Sequence, residues 1–447
     1  MGIVALLVFI AVTVVMNVPL KRPISESLLV ALVATSLVGG LHAPGLLWTG
    51  VSGALANDVT FAGMAFVFMG VIVQATGLIE RMITIFNSVF GRLRGGAAYV
   101  STAGSAAIGL VAGSTAGNAA TVGSVTIPWM KQNGWSSARA ATLVAGNSGL
   151  GVSLPPNSTM FIILATPAAA GVAAGDVYVS LAMAGLYCVL YRMAVVFFWT
   201  RRDGIEKTDS SHIARLGTAL RQEWSSLLIF IGIAIPVLLT FGPLFDRLSA
   251  PDRIGEDAMG EISIIVWVPI LISLIALIEG RKRLKGRWGS VVKAVRAEVP
   301  QFATVGISLF AALAASEIMS ELGVGPQLSG VLNGLNLPKG LLIAVVCVVC
   351  VLVATPLSST ATAAAIGAPA VIAMNSVGVP PVVAICAVLV CTSTEGASPP
   401  VGAPIYLASG MAEVNPARTF VPLVIWFVLP IIALGWLLGM GWLPIPH

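Results

Sequence analysis

The chain alternates long apolar runs with short clusters of charged residues. That pattern predicts an all-α polytopic membrane protein, because a bilayer admits only backbone that satisfies its own hydrogen bonds. The first run, MGIVALLVFIAVTVVMNVPL, ends at Lys21-Arg22 with no small-residue cleavage site, which predicts a first spanning helix and not a signal peptide. Further spans are predicted over residues 24–40, 60–79, 178–200, 225–242, 262–278, 301–320 and 420–441, with a short piece over 47–57. The segments 97–112 and 118–130, and the arms of 341–375, are each too short for the ~20 residues of a span. They predict two re-entrant hairpins. Two longer segments, 136–170 and 380–412, are each interrupted by a proline pair, Pro155-Pro156 and Pro399-Pro400. Proline lacks an N–H and clashes with the preceding turn, so each pair predicts a helix broken in mid-membrane with carbonyls lacking intrahelical partners.

These two hairpin-plus-broken-helix units are copies of one another. Residues 113–158 and 357–402 align without a gap at a displacement of 244, and ten of the 46 positions are identical. Ser114 falls on Ser358, Gly123 on Gly367, Gly134 on Gly378, and each proline pair on the other. Discontinuous helices at matching places in two halves predict a transporter with its site near the midplane.

Charge gives the direction of insertion. The chain of 447 residues is 57% hydrophobic and 10% charged, and its net charge of +5 sits in short loops, where it reports topology and not a nucleic-acid partner. Lys21, Arg81, Arg92, Arg94, Lys131, Arg139, Arg201 and Arg202 mark cytoplasmic turns, so residue 1 lies outside. The first hairpin is then entered from the cytoplasm and the second from outside, which predicts inverted topology. Repeat 1 covers 1–200, a cytoplasmic linker 201–224, and repeat 2 225–447. The basic segment GRKRLKGRWGSVVKAVR is expected as an amphipathic helix on the inner surface. Trp129, Trp135, Trp199, Trp224 and Trp288 fall near predicted cytoplasmic boundaries. Arg192, about six residues inside its helix end, is expected to snorkel to the headgroups.

Catalytic chemistry finds no residues to carry it. His42, His212 and His447 are isolated, no HExxH, GxSxG or phosphate-cradling GKS/T sequence occurs, and Cys347 and Cys350 lie in an apolar run where packing is their expected role.

The motifs AGSTAGNAATVGSVTIPWMKQNGW, SLPPNS and TSTEGASPPVGAPIY, with FVFMGVIVQATGLIERM and FGRLRGG, resemble the large membrane subunit of tripartite ATP-independent periplasmic (TRAP) transporters. That resemblance implies an elevator mechanism, sodium coupling, carboxylate uptake across the inner membrane, an extracytoplasmic substrate-binding protein and a separate four-helix membrane subunit. A stand-alone sodium- or proton-coupled carboxylate transporter of the same superfamily is the alternative. The chain departs from the family's pattern twice. Asn118 stands where an acid is usual, and Glu395 where a small or amide residue is usual, so the coupling ion is open between Na⁺ and H⁺.

A dehydrated Na⁺ is held by several oxygens, which hydroxyls, amides and freed carbonyls supply. The candidates are Ser114, Thr115, Asn118 and Asn147 in repeat 1, and Ser358, Ser359, Thr362, Thr392, Thr394 and Glu395 in repeat 2. The half-helix N-termini beyond the breaks, near Asn157 and Val401, are expected to hold an anionic substrate, with Pro156, Asn157, Ser158, Ser398 and Pro400 around it.

Overall fold

Apolar segments without a charged interruption fold as helices here because no other local geometry pairs every backbone group. The computed structural model describes residues 1–446 except 18, 57, 165, 208–212, 241–242, 251–252, 256–263, 287, 325, 328–329, 332–336, 356 and 401. Among the described residues regular structure is helical, apart from one isolated bridge between Arg94 and Lys207. Among the described residues, four helices are long and apolar enough to cross a bilayer: Ala174–Arg202, Leu216–Thr240, Phe302–Glu321 and Ala417–Gly439. A fifth candidate is bent by 67° between Met64–Thr76 and Leu78–Phe90. The bend lies at Gly77, whose φ of +72° is one that L side chains rarely adopt.

The first hairpin is Gly96–Ala112 and Thr115–Gln132, and the second is Lys339–Ala354 followed by Ser359–Thr362, a π turn at Ala363–Gly367 and Ala368–Ser376. Their tips are built alike. Ser114 Oγ accepts from the Gly117 N–H at 3.1 Å, and Ser358 Oγ accepts from the Ala361 N–H at 3.1 Å. Each serine therefore caps the returning arm, which explains why these two positions coincide in the alignment. The first broken helix runs through Ser137–Ser148 and Leu150–Ser153 and resumes at Ser158–Leu164. The second runs through Pro381–Thr392 and a tight 3₁₀ turn at Ser393–Ala397 and resumes at Ala403–Ala412. Both Pro-Pro bonds are cis.

Two expectations are corrected. The basic surface helix and the span after it form one helix, Trp288–Glu321. No Gly or Asn lies between Gly289 and Gly306 to stop it, and Pro300 removes a single donor. Trp135 and Trp199 are buried at 3% and 0% exposure, so they pack inside instead of marking a headgroup boundary. Trp199 meets Trp426 and Phe427 edge-on at 5.8 and 6.0 Å, and the Arg139 guanidinium lies 4.4 Å from its ring. Each such aromatic pair contributes ~0.5–1.5 kcal/mol beyond its buried area.

Contacts at the two ends of Ala174–Arg202, a helix ~44 Å long at 1.5 Å per residue, separate the hairpin feet. Near its N-terminal end the Ser180 hydroxyl bonds the Pro446 carbonyl, and at mid-helix Tyr187 Oη donates to the Pro444 carbonyl at 2.8 Å. Trp436 in the preceding helix donates to Gly340 at 2.8 Å, beside Lys339, whose Nζ reaches the Gly378 carbonyl at 3.4 Å. At its C-terminal end Asp203 pairs with Arg139 at 2.9 Å. Just before Arg139 in the chain, Lys131 pairs with Glu413 at 3.5 Å.

Candidate functional site

A cavity of about 540 Å³ opens between the hairpin tips and the first break. Ser114, Thr115, Ser358 and Ser359 from the tips line it, as do Pro156, Asn157 and Ser158 from the break, and Glu395. Glu395 ties these parts together. Its Oε1 accepts from Thr115 Oγ1 at 3.2 Å, and its Oε2 accepts from the Ser359 N–H at 2.9 Å, with Ser359 Oγ at 2.5 Å. Thr115 and Ser359 each open the returning arm of a hairpin, so the carboxylate faces the positive ends of two helix dipoles and bridges the two repeats. Among the described residues no Lys, Arg or His forms an ion pair with it.

The repeat explains the asymmetry of this arrangement. The position matching Glu395 in repeat 1 is Gly151, where a Cβ would stand 2.8 Å from the Ser114 carbonyl oxygen. The first break thus packs backbone against its own tip, whereas the second extends a carboxylate to both tips.

The remaining candidates divide by what their oxygens do. Asn118 donates to the Ser105 carbonyl at 2.8 Å and Asn147 donates to Thr102 Oγ1 at 3.0 Å. The Oδ1 atoms of both amides, and Thr362 Oγ1, are buried without a hydrogen-bond partner. A buried oxygen with free lone pairs and no donor fits a desolvated cation. Thr392 and Thr394 give their hydroxyl protons to the carbonyls of Leu389 at 3.0 Å and Cys391 at 2.8 Å. None of these five lines the cavity, so they lie behind its wall.

The substrate-side candidates are partly spent on the fold. Asn157 donates both amide hydrogens to the carbonyls of Val152 at 2.8 Å and Leu154 at 3.0 Å, and its Oδ1 caps Ser158–Leu164 by accepting from the Met160 N–H at 2.8 Å. It closes the carbonyls that Pro155-Pro156 exposes, and in this conformation it has no donor left for a cargo carboxylate. Ser158 lines the cavity and is half-buried. Ser398 is buried and donates to Thr394 O at 2.9 Å, and Pro400 is exposed with its carbonyl bonded by the Tyr406 hydroxyl. Val401 lies outside the described residues.

Several cavity residues fall outside the candidate set read from the sequence. Gln74 donates to Thr121 Oγ1 at 3.3 Å, while Glu298, Thr304 and Thr360 also line the wall. Glu298, an acid two residues before Pro300, carried the only available signal. Arg192 is the largest correction. It is 1% exposed and does not reach the headgroups, because its guanidinium turns inward to the Gly146 carbonyl at 3.3 Å.

In this all-helical class of fold, two hairpin tips and two broken helices meet at a polar cavity. The fold is that of the Alcanivorax borkumensis YdaH transporter, at a TM-score of 0.62 and 16% identity over 91% of this chain and 90% of that one. Neisseria gonorrhoeae MtrF matches at 0.61 and 14% identity over 90% and 85%. Residues 3–444 match the family described as tripartite ATP-independent periplasmic transporter, DctM component, and the chain belongs to that family. Similar relatives include the isethionate TRAP transporter permease protein DctMQ of Oleidesulfovibrio alaskensis, 26% identical over 44% of this chain and 30% of that protein. Another is the C4-dicarboxylate TRAP transporter large permease protein DctM of Pseudomonas aeruginosa, 26% identical over 37% of this chain and 38% of that protein. The aligned stretches thus span well under half the length of these relatives.

Proposed function

We propose that this chain is the large permease subunit of a binding-protein-dependent secondary transporter that imports a small organic acid, driven by a cation gradient. The carrying observation is the Glu395 carboxylate, held by Thr115 and Ser359 at the wall of a cavity between two hairpin tips. Glu298 adds a second carboxylate to that wall, and among the described lining residues there is no Lys, Arg or His. An anionic cargo entering such a cavity alone meets repulsion of about 1 kcal/mol per charge pair at 4 Å even in water, and more where water is excluded. A cation bound beside Glu395 removes that penalty, so cargo and cation favour each other's binding and transport is coupled. Na⁺ is the coupling ion in this reading, and a proton on Glu395 is the competing one.

Inverted repeats moving as an elevator fit the hairpin feet. Lys339 and Gly378 group with the N-terminal end of Ala174–Arg202, and Arg139 pairs at the other end. With the basic turns in the cytoplasm, the subunit sits in the inner membrane with residue 1 outside. It receives cargo from an extracytoplasmic binding protein and works beside a separate four-helix subunit. The named relatives carry isethionate and C4-dicarboxylates, which makes a small sulfonate or dicarboxylate the first cargo to try.

Uptake of such a cargo into proteoliposomes, with and without a Na⁺ gradient at clamped potential and with the binding protein added or withheld, is expected to require both. Uptake that follows a pH gradient and ignores Na⁺ would transfer the coupling role to the proton. Asn118→Leu is expected to raise the Na⁺ concentration for half-maximal uptake about tenfold, since one lost ligand worth ~1.4 kcal/mol has that effect. An unchanged Na⁺ titration would remove Asn118 from the ion's path.

A further inference from the structure

Among the described residues Arg192 is the only charged side chain that is fully buried. Its Nε donates to the Gly146 carbonyl at 3.3 Å and its Nη1 to the Cys188 carbonyl at 3.2 Å, and it makes no ion pair among the described residues. A guanidinium removed from water costs several kcal/mol unless something negative meets it. What meets it here is backbone. Gly146 lies in the last turn of Ser137–Ser148, the first half of the first broken helix. A Cβ on Gly149 would stand 3.2 Å from Arg192 Nη2 and 2.3 Å from the Ser393 carbonyl oxygen. Ser393 immediately follows Pro381–Thr392, the first half of the second broken helix, and is the repeat partner of Gly149. The two broken helices therefore pass each other close to the guanidinium, ahead of their proline breaks, and the Gly146 carbonyl that accepts from it lies where Ser137–Ser148 gives way to Leu150–Ser153.

Backbone carbonyls at an interrupted helix are the surroundings that hold a mobile cation in a transporter core. We propose that Arg192 is a built-in cation. Its guanidinium permanently fills the place beside the crossing of the two broken helices, and so lowers by one the number of Na⁺ ions that each transport cycle must bind. This rests on the sodium-coupled reading given above, and Arg192 acts as a positioning residue through the broken helices, without touching cargo. Arg192→Met keeps most of the volume and removes the charge and its donors. The Gly146 and Cys188 carbonyls then face an uncharged side chain, and a bare metal ion can take the vacancy.

The test compares melting of purified wild type, Arg192→Met and Arg192→Lys in NaCl and in choline chloride of equal ionic strength, followed by Na⁺:cargo ratios from null-potential uptake in proteoliposomes. Arg192→Met is expected to melt below wild type in choline, to regain most of the difference in Na⁺, and to move one more Na⁺ per cargo. Arg192→Lys is expected to behave as wild type in both media. A deficit in Arg192→Met that is equal in Na⁺ and choline, with an unchanged ratio, overturns the proposal. If Arg192→Met yields no folded protein in either salt, Arg192→Lys decides: retained uptake at the wild-type ratio supports a role for charge, and lost uptake overturns it. Wild-type uptake indifferent to Na⁺ would refute the sodium reading separately, while the melting comparison would still report on the internal cation.

Discussion

Glu395→Gln is expected to lower cation-driven uptake by about a hundredfold, a loss of ~2.7 kcal/mol. The carboxylate accepts from Thr115 Oγ1, from the Ser359 N–H and from Ser359 Oγ. A carboxamide offers one oxygen and one NH₂ in the same volume, so one edge now points donors at donors. Each mismatched buried group costs ~1–3 kcal/mol, and the charge that offsets a cation is gone as well. Glu395→Asp keeps the charge with a shorter reach and is expected to fall between wild type and Gln. The pH series separates the two coupling ions. With Na⁺ as the ion, the Gln variant raises the Na⁺ requirement; with a proton, it flattens the pH dependence of uptake. A Gln variant with unchanged rate, Na⁺ titration and pH profile would leave Glu395 a structural acid only.

Gly149→Ala is expected to destabilise the protein by ~1–3 kcal/mol, the usual cost of forcing a methyl into a closed contact. The reason is backbone against backbone: the new Cβ would lie 2.3 Å from the Ser393 carbonyl oxygen, and no rotamer change relieves that clash. Gly410 is the matched control, since nothing lies within 4 Å of a Cβ there and it sits inside Ala403–Ala412. Gly410→Ala is expected to be neutral or to stabilise by ~0.5–1 kcal/mol. Melting in detergent measures both, and equal melting of the two variants would mean that the broken helices do not cross at this point.

Much of this was legible in the sequence because the signals are punctuation marks with one physical meaning. Proline pairs, tip serines and short apolar arms gave the hairpins at 97–130 and 341–375, against observed arms of Gly96–Ala112 with Thr115–Gln132 and an opening arm of Lys339–Ala354. What escaped was direction. Periodicity in an apolar helix does not tell which way a long side chain points, so Arg192, a residue with reach in either sense, was expected at the headgroups and lies inside. Asn157 has the same lesson at shorter range. A polar residue after a break reads as a ligand donor, but its first obligation is to the carbonyls the break exposes. Glu395 stood out as an acid in an apolar segment, yet its partners Thr115 and Ser359 lie 280 and 36 residues away and no local pattern names them. The joined surface and spanning helix at Trp288–Glu321 was missed because a proline and a change of polarity imitate a helix end without a terminating residue.

Side-dependent labelling of the cavity tests the transport site most directly. Thr360 lines the wall beside the second tip, and Thr360→Cys reconstituted into oriented vesicles offers a thiol there, the five native cysteines being buried. A membrane-impermeant maleimide applied to one face or the other is expected to react from each, because in the proposed cycle the cavity opens to both sides in turn, and Na⁺ with cargo is expected to slow both reactions. Labelling from one face alone, unchanged by Na⁺ and cargo, would contradict a cavity that carries its contents across.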